Sequence, residues 1–294
     1  MCAPVPTVLK KHWKLYAFLV PVFIPLIIFG YLPAVDAFKL AFTDNQSGAF
    51  VGLQNFIDMA SDRKLIKSVG VMLKLLVAGL ITGNIPALLM AELLYNLRSK
   101  RASGAYRFLF IIPMMIPGLV VYLMWQYMIF ESTYGLANAL MNMLGLPEQA
   151  WLNGTSTALI SLVLIGFPWI AGTNFLIYLA GLQGIPESVL ESCKLDGATF
   201  RVRFFKIDLP LLLGQLKLML IMGIINGMQA FGLQLMTTDG GPRYSTMVPG
   251  LWMYKRAFEF SNFSYASAIG LAMFLIILVL TIVNNRFINT DIAK

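Results

Sequence analysis

Long stretches without a charged side chain are the feature that most restricts how this chain can fold. Apolar runs of about twenty residues recur along the sequence, and a helix of that length crosses the roughly 30 Å of hydrocarbon in a bilayer. Because lipid offers the backbone no hydrogen-bond partner, the crossing segments must be helices or the strands of a closed barrel. Barrel strands alternate apolar and polar residues over about ten positions, whereas these runs are continuous. The sequence therefore predicts an all-α polytopic membrane protein.

The composition agrees with this prediction, because only 12% of the residues are charged and 58% are hydrophobic. The mean hydropathy of +0.75 lies outside the range of soluble domains. We predict six transmembrane helices, over residues 15–38, 68–95, 106–130, 158–182, 209–236 and 266–287. They would form one transmembrane domain of residues 15–294, preceded by a tail of residues 1–14. The first run resembles a signal peptide, but it is long and no small-residue cleavage site follows it, so we interpret it as an uncleaved anchor.

The lysines and arginines predict how these helices are oriented. With six spans, both termini lie on the same side, and that side receives roughly twice as many of the flanking basic residues as the other. The excess places both termini and the loop of residues 183–210 in the cytoplasm. The net charge of +8 is then mostly a topology signal. Because the basic residues are spread over several loops, we expect no nucleic acid as a partner.

The sequence offers no set of side chains for catalysis or for metal binding. Cys2 and Cys193 both fall on the reducing cytoplasmic side, so a disulfide is not expected. His12 is the only histidine, which leaves no Cys/His metal-ligand spacing and no usable catalytic triad. No G-x-x-x-x-G-K-[ST] loop occurs, so the chain does not bind ATP in the P-loop manner. We therefore expect neither an enzyme nor a resident cofactor.

The loop of residues 183–210 contains ESCKLDGATFRVRFFKIDLP, a polar segment between two apolar runs. Pro186 suits the first turn of a helix, and Glu187 would then sit at the positive end of its dipole. Gly197 supplies the left-handed turn that other residues resist, and a second helix is predicted over residues 198–206. The loop is thus a rigid amphipathic knob. It is either a helix that lies in the membrane interface or a docking element for a soluble partner.

The same loop resembles the coupling loop of ABC importer permeases, whose pattern is E-A-A-x-x-x-G, nine further residues, and I-x-L-P. The matching residues are Glu191, Gly197, Ile207, Leu209 and Pro210. Elsewhere GLQGIPESVLES, AFTD, FVGLQNF, TTDGGP and YKRAFEFSNFSYASA are similar to segments of the carbohydrate branch, in particular the maltose-type first permease subunit. Ser192 and Cys193 replace the two alanines of the pattern.

The resemblance implies a type I ABC importer permease fold in a bacterial or archaeal cytoplasmic (inner) membrane. The chain would form half of the path of an ATP-driven, binding-protein-dependent importer for a sugar or oligosaccharide. The implied partners are a second permease, two ABC ATPase subunits that carry ATP and Mg²⁺, and an extracytoplasmic solute-binding protein.

The resemblance also implies roles for residues of the loop. The implied coupling residues are Glu191, Asp196, Gly197, Ala198, Phe204, Ile207, Leu209 and Pro210. Glu191 would pair with a basic residue of the ATPase subunit. Gly197 would permit the tight turn, and Phe204 and Ile207 would hold the loop against the membrane helices.

Polar residues of the fourth and fifth spans form the predicted substrate path. Amides both donate and accept hydrogen bonds, which suits sugar hydroxyls, and relatives of the resembled family place the path on the helices that flank the coupling loop. The candidate residues are Trp169, Thr173, Gly223, Asn226, Gln229 and Ala230, with Leu233 on the same helical face as Gly223, Asn226 and Ala230. The alternative is interhelical hydrogen bonding and small-residue packing. Lys74 and Lys217 also lie inside spans, where they either snorkel or face the cavity.

Two other classes of protein fit the sequence less well. An ion-coupled secondary transporter needs carboxylates inside the membrane, and the spans contain almost none, since Glu92 lies near a cytoplasmic end. An intramembrane enzyme needs a His/Asp or metal constellation that the chain lacks. Within the importer interpretation, the cargo is either a saccharide or another polar solute such as glycerol phosphate, and the sequence does not decide between them.

Overall fold

The computed structural model describes residues 17–169 and 172–287, which are predominantly helical. The described residues contain no strand beyond an isolated bridge between Thr43 and Phe50. The helices are α1 (Val20–Leu40), α2 (Gln54–Ser61), α3 (Arg63–Tyr95), α4 (Lys100–Met115), α5 (Gly118–Ile129), α6 (Leu136–Met143), α7 (Ala158–Leu164), α8 (Gly172–Gln183), α9 (Glu187–Leu195), α10 (Phe200–Leu211), α11 (Leu213–Gln229), α12 (Gly232–Thr237), α13 (Pro249–Phe258) and α14 (Phe263–Phe287). The all-α prediction is confirmed, and the predicted tail of residues 1–14 lies outside the described residues.

The chain divides into two compact units, and the first consists of Met1–Ser61 and Met253–Ala272. In α1 a proline occupies the helix interior at position 25, and a π turn follows directly at Ile27–Tyr31. A small core of Ala41, Ala268 and Leu271 holds the unit together. Asn45 strengthens it, since its Nδ2 donates to the Ser261 carbonyl at 2.8 Å and its Oδ1 accepts from the Ser264 amide at 3.3 Å.

The second unit consists of Asp62–Trp252 and Met273–Lys294 and is built around α3, α8 and α11. Asp62 begins α3, because its Oδ1 accepts from the Lys64 and Leu65 amides at 2.9 and 3.2 Å. The core residues are Ala87, Ala91, Leu94, Phe175, Tyr178, Leu179, Leu182, Ile185, Leu212 and Met219. This packing gathers the middle of α3 and both helices that flank the loop of residues 183–210.

Glycines set the distance between α3 and α11 in this unit. A Cβ at Gly223 would stand 2.6 Å from Leu80 Cδ2, and one at Gly227 would stand 2.7 Å from Leu76 Cδ1. Atoms do not approach that closely without a shift of the neighbouring side chain or helix. A side chain at position 223 or 227 would therefore require Leu80 or Leu76 to move.

The predicted spans are recovered as apolar segments, but several of them are not single helices. Helices α1, α3 and α14 are each long and apolar enough to cross a membrane within the described chain. Two bent pairs, α4 with α5 at 86° and α10 with α11 at 64°, raise that number to at most five. The count of six thus stays a prediction.

The third, fourth and fifth predicted spans are interrupted rather than continuous helices, and each break has a local cause. Pro117 disfavours helical backbone at Ile116, which adopts ψ 123° and separates α4 from α5. In the fourth segment α7 ends at Leu164, and Gly166 follows with φ +88°. In the fifth, α11 ends at Gln229 and the next residue is extended, with ψ 127°.

Candidate functional site

The loop of residues 183–210 begins with the short helix α9. Pro186 stands one position earlier than predicted, since it is the N-cap residue with φ −58° and ψ 139° rather than the first helical residue. Glu187 lies in the first turn, as predicted, and Lys194 lies in the last turn. Both charges are favourable to the helix dipole, so the sequence stabilises α9 at both ends.

The turn after α9 confirms the prediction for Gly197, which has φ +66°. The Gly197 amide donates to the Lys194 carbonyl at 3.2 Å, and the Ala198 amide donates to the Cys193 carbonyl at 3.0 Å. These two bonds are a Schellman motif, the usual way in which a left-handed glycine ends a helix. A Cβ at Gly197 would meet no atom within 4 Å, so only the backbone conformation restricts this position.

The second helix of the loop differs from the prediction of residues 198–206. It begins at Phe200, because the Thr199 side chain is its N-cap and accepts from the Val202 amide at 3.5 Å. It also continues past Lys206 through a π turn at Phe204–Asp208 and ends at Leu211.

Exposure divides the predicted coupling residues into a tip and a base. Glu191, Asp196 and Gly197 are exposed at the tip, and the neighbouring Leu195 is 88% exposed. The other predicted residues are half-buried, namely Ala198, Phe204, Ile207, Leu209 and Pro210. Phe204 packs edge-on against Phe205 at a centroid distance of 4.9 Å. The loop therefore presents a polar and apolar tip on a packed base, a form suited to insertion into a complementary groove.

A buried ionic group, which the sequence did not predict, ties this loop to the end of α3. Arg203 Nε donates to Asp208 Oδ2 at 2.8 Å, and Arg203 Nη2 donates to Glu92 Oε1 at 3.2 Å. The same Nη2 donates to Asn96 Oδ1 at 2.5 Å. Glu92 and Asp208 are 1% and 0% exposed. We call these four residues, Glu92, Asn96, Arg203 and Asp208, the loop clamp.

The hydrogen bonds of the loop clamp occupy one oxygen of each carboxylate. Asn96 Nδ2 donates to Glu92 Oε1 at 2.7 Å and to the Glu92 carbonyl at 2.8 Å. The second oxygens of the two carboxylates, Glu92 Oε2 and Asp208 Oδ1, are buried without a hydrogen-bond partner. Arg203 is the single cation recorded on the two buried carboxylates within the described chain. Its removal would leave both negative charges without a cation, with Glu92 keeping only the Asn96 amide.

A cavity of about 520 Å³ lies between α3, α8 and α11 in the same unit. It is lined by Leu75, Leu76, Gly79, Leu80, Gly83, Asn84, Thr173, Asn174, Ile177, Leu218, Met219, Met222, Gly223, Asn226 and Gly227. Its volume is within the range of small-molecule sites, and its wall is mostly apolar with a few amide and hydroxyl groups. We call it the polar cavity because of these amide and hydroxyl groups. The structure here brings together three predicted path residues, Thr173, Gly223 and Asn226.

The amides of the polar cavity differ in what they are free to bind. Asn84 is engaged, because its Nδ2 donates to the Leu80 carbonyl at 2.7 Å and its Oδ1 accepts from the Tyr178 hydroxyl at 2.6 Å. Asn174 Nδ2 donates to the Gly83 carbonyl at 2.9 Å. The Asn226 side chain is exposed and forms no hydrogen bond with any residue that the structure describes. Its whole amide is therefore available to a ligand, and no hydrogen bond to a described helix of this chain occupies it.

The other three predicted path residues are not among those that line the polar cavity. Trp169 Nε1 donates to the Val163 carbonyl at 2.8 Å. Gln229 Nε2 donates at 3.1 Å to the Ile225 carbonyl of its own helix. Ala230 follows the end of α11, so the predicted helical face of Gly223, Asn226, Ala230 and Leu233 is interrupted after Gln229. The sequence also missed Asn84 and Asn174, whose only signal was an amide within an apolar run.

Comparisons with known proteins give the site its context. The family model described as "Binding-protein-dependent transport system inner membrane component" matches residues 76–289. Probable ABC transporter permease protein YesP of Bacillus subtilis is 33% identical over 93% of this chain and 90% of its own length. Multiple sugar-binding transport system permease protein MsmF of Streptococcus mutans is 31% identical over 92% of this chain and 93% of its own. Trehalose/maltose transport system permease protein MalF of Thermococcus litoralis is 30% identical over 91% of each.

A solved structure shares the fold along nearly the whole chain. It is a bacterial ABC transporter involved in the import of the acidic polysaccharide alginate. One of its chains superposes with a TM-score of 0.85 at 22% identity, and the match covers 98% of this chain and 99% of that one. At this identity the likeness shows the fold alone.

Proposed function

We propose that this chain forms half of the translocation path of an ATP-driven importer for a sugar or oligosaccharide. The chain belongs to the family of binding-protein-dependent transport system inner membrane components and has the type I ABC importer permease fold. It is a multi-pass inner-membrane transport component. The single observation that carries the proposal is the polar cavity with the Asn226 amide, formed by the two helices that flank the coupling loop together with α3.

The cavity supports a polar, uncharged contact with the cargo. Asn226 can donate and accept, and the Thr173 hydroxyl lines the same space. The Asn226 side chain is exposed in the single chain, so its amide can reach a ligand in the cavity. Relatives named for multiple sugars and for trehalose and maltose support a saccharide as the cargo. In our proposal the sugar hydroxyls pass Asn226 and Thr173 in turn.

The coupling loop supports energy supply by a soluble subunit. In our proposal the exposed tip with Glu191 enters a groove of an ABC ATPase subunit, where the carboxylate pairs with a basic side chain. ATP and Mg²⁺ bind on two such ATPase subunits and this chain binds no cofactor. A second permease and an extracytoplasmic binding protein complete the importer, and both termini of this chain are cytoplasmic.

The wall of the polar cavity argues against an ion-coupled secondary transporter. No aspartate or glutamate lines that cavity in the described chain. Glu92 and Asp208 are held by Arg203 at the base of the loop instead. A transporter driven by protons or sodium needs a carboxylate in its path, so ATP remains the better-supported energy source.

Uptake by the reconstituted complex tests the proposal. The chain, its partner permease, the ATPase subunits and the binding protein are placed in proteoliposomes and offered mono-, di- and trisaccharides and glycerol phosphate. We expect ATP-dependent uptake of at least one saccharide, and Asn226→Ala should change the ranking among the transported sugars. Asn153→Ala is the matched control, because Asn153 is exposed and lies outside the cavity. ATP-dependent uptake of glycerol phosphate alone would contradict the saccharide cargo.

A further inference from the structure

A second cavity, of about 590 Å³, lies toward the N-terminal end of α3 in the same compact unit. It is lined by Lys67, Gly70, Val71, Lys74, Thr155, Ser156, Leu159, Arg243 and Ser245. The lining contains three cations and three hydroxyl groups and no acidic side chain. We call it the basic cavity, and its composition is that of a site for an anion that also carries hydroxyl groups.

Two segments bring these cations together. Lys67 and Lys74 are seven residues apart and so share one face of α3, about 10 Å from each other along the helix axis. Arg243 belongs to the loop that follows α12, and Lys67 Nζ donates to its backbone carbonyl at 2.9 Å. That bond holds the loop against α3, so the guanidinium lines the same cavity as the Lys74 ammonium.

The charges of Lys74 and Arg243 are not neutralised by any residue that the structure describes. Neither side chain forms an ion pair or a hydrogen bond with a residue that the structure describes. Lys64, by contrast, stacks over the rings of Tyr244 and Trp252, with 4.9 and 5.3 Å from its Nζ to the two centroids. Lys74 lies about 16 Å from the start of α3, within a predicted membrane span. A lysine there is costly unless it faces a wet cavity or an anion.

We propose that the basic cavity binds the carboxylate of an acidic saccharide, so that the cargo of this importer contains uronic acid units. This rests on the importer function proposed above. The planar guanidinium of Arg243 matches the two oxygens of a carboxylate, and the Lys74 ammonium supplies a second positive charge. The hydroxyls of Thr155, Ser156 and Ser245 hydrogen-bond the neighbouring ring hydroxyls.

The arrangement along α3 favours the cargo over other anions. The same helix lines both cavities, and Lys74 lies ten residues before Asn84 of the polar cavity, about 15 Å along the axis. An acidic saccharide thus meets the cations first and the amides afterwards. Two other anions could pair with these cations, namely an acidic patch on a binding protein and a phospholipid headgroup. Neither explains why three hydroxyl groups line the same concave wall.

The test compares each charged cargo with its neutral counterpart in the complete reconstituted complex. The probes are galacturonate, glucuronate and mannuronate trisaccharides, each beside the product of reducing its carboxyls to alcohols. We expect wild type to prefer at least one acidic member of a pair. Lys74→Gln and Arg243→Gln should each lower that preference about tenfold, the loss of one charge-assisted hydrogen bond. Arg63→Gln, which removes an exposed charge from the same helix outside the cavity, should leave it unchanged.

Other outcomes overturn the proposal in ways that can be told apart. Transport of neutral saccharides with rejection of every acidic one leaves the importer function standing and removes the acidic cargo. Equal losses for both members of each pair, with loss of the ATPase stimulation by the binding protein, assign the cations to protein docking. The uptake defect of the variants could instead depend on the anionic lipid content of the vesicles, with an unchanged preference for acidic over neutral cargo. That result assigns the cations to binding of a lipid headgroup. Uptake of no saccharide overturns both proposals.

The variants remain informative if one of them assembles poorly. Uptake is expressed per assembled complex, and Arg243→Lys retains the charge while losing the planar fork. We expect Arg243→Lys to keep more of the acidic preference than Arg243→Gln. Equal preference in the two variants would contradict a carboxylate at Arg243.

Discussion

Removal of Arg203 is expected to be among the most damaging single changes in the loop of residues 183–210. Arg203 is the cation recorded on Glu92 and Asp208, which are 1% and 0% exposed. Removing one partner of a buried ion pair costs about 3–5 kcal/mol, because the other charge stays buried without compensation. Since Asp208 loses its one recorded side-chain partner and Glu92 keeps only the Asn96 amide, we expect Arg203→Ala to destabilise the chain by about 3 kcal/mol.

A double-mutant cycle separates this effect from lost packing. Asp208→Asn keeps the shape of the side chain and removes one charge, so Arg203→Ala should cost less in that background. We expect a coupling energy of about 1–3 kcal/mol between the two positions. The assay is the unfolding of the purified, detergent-solubilised complex in increasing sodium dodecyl sulfate, followed by tryptophan fluorescence.

Arg201 offers a matched control two positions away. It is exposed and forms no ion pair with a described residue, so Arg201→Ala should change the stability by less than about 0.5 kcal/mol. If Arg203→Ala costs no more than Arg201→Ala, or if its effect simply adds to that of Asp208→Asn, the clamp does not stabilise the loop.

Further predictions concern the turn of the loop, the spacing of the helices and the polar cavity. Gly197→Val should cost about 1–2 kcal/mol through its positive φ alone, since no atom obstructs a Cβ there; Gly197→Asn, which tolerates this conformation, should retain most of the ATP-dependent uptake. Gly227→Leu should push Leu76 aside and lower uptake per assembled complex, and Leu76→Ala in the same chain should restore part of it; no restoration would show that the helix spacing does not depend on this contact. Asn226→Ala should leave basal ATPase activity intact and alter the ratio of two competing sugars, and an unchanged ratio would remove Asn226 from the path.

Local chemistry explains which features could be predicted from the sequence. The apolar runs indicate membrane helices whatever their partners are, because the length of a run and the absence of charge are sufficient. Gly197 indicates the turn after α9 because glycine adopts φ +66° without the strain that a Cβ brings. Thr173, Gly223 and Asn226 were found together because they flank the coupling loop in the resembled family.

Features that depend on distant packing could not be predicted in this way. Glu92 and Arg203 are 111 positions apart, so no spacing rule connects the two halves of the clamp. Asn84 lines the polar cavity together with residues of α8 and α11 and accepts a hydrogen bond from Tyr178, 94 positions away, which the sequence of α3 alone does not reveal. The break after Leu164 did have local signals, in Gly166 and Pro168. They were outweighed by the length of the apolar run.

The measurement that tests the account most directly is ATP-coupled uptake with Glu191 altered. Proteoliposomes that contain the complete complex are loaded with ATP and given the binding protein with its sugar outside, and transported sugar is compared with ATP hydrolysed. The account predicts that uptake requires ATP, that Glu191→Ala abolishes it without preventing membrane insertion, and that Glu187→Ala, an exposed glutamate one turn earlier in α9, retains it. The central claim is that this loop couples the permease to a soluble ATPase subunit. Uptake driven by an ion gradient without ATP would contradict it, and so would equal uptake by Glu191→Ala and wild type.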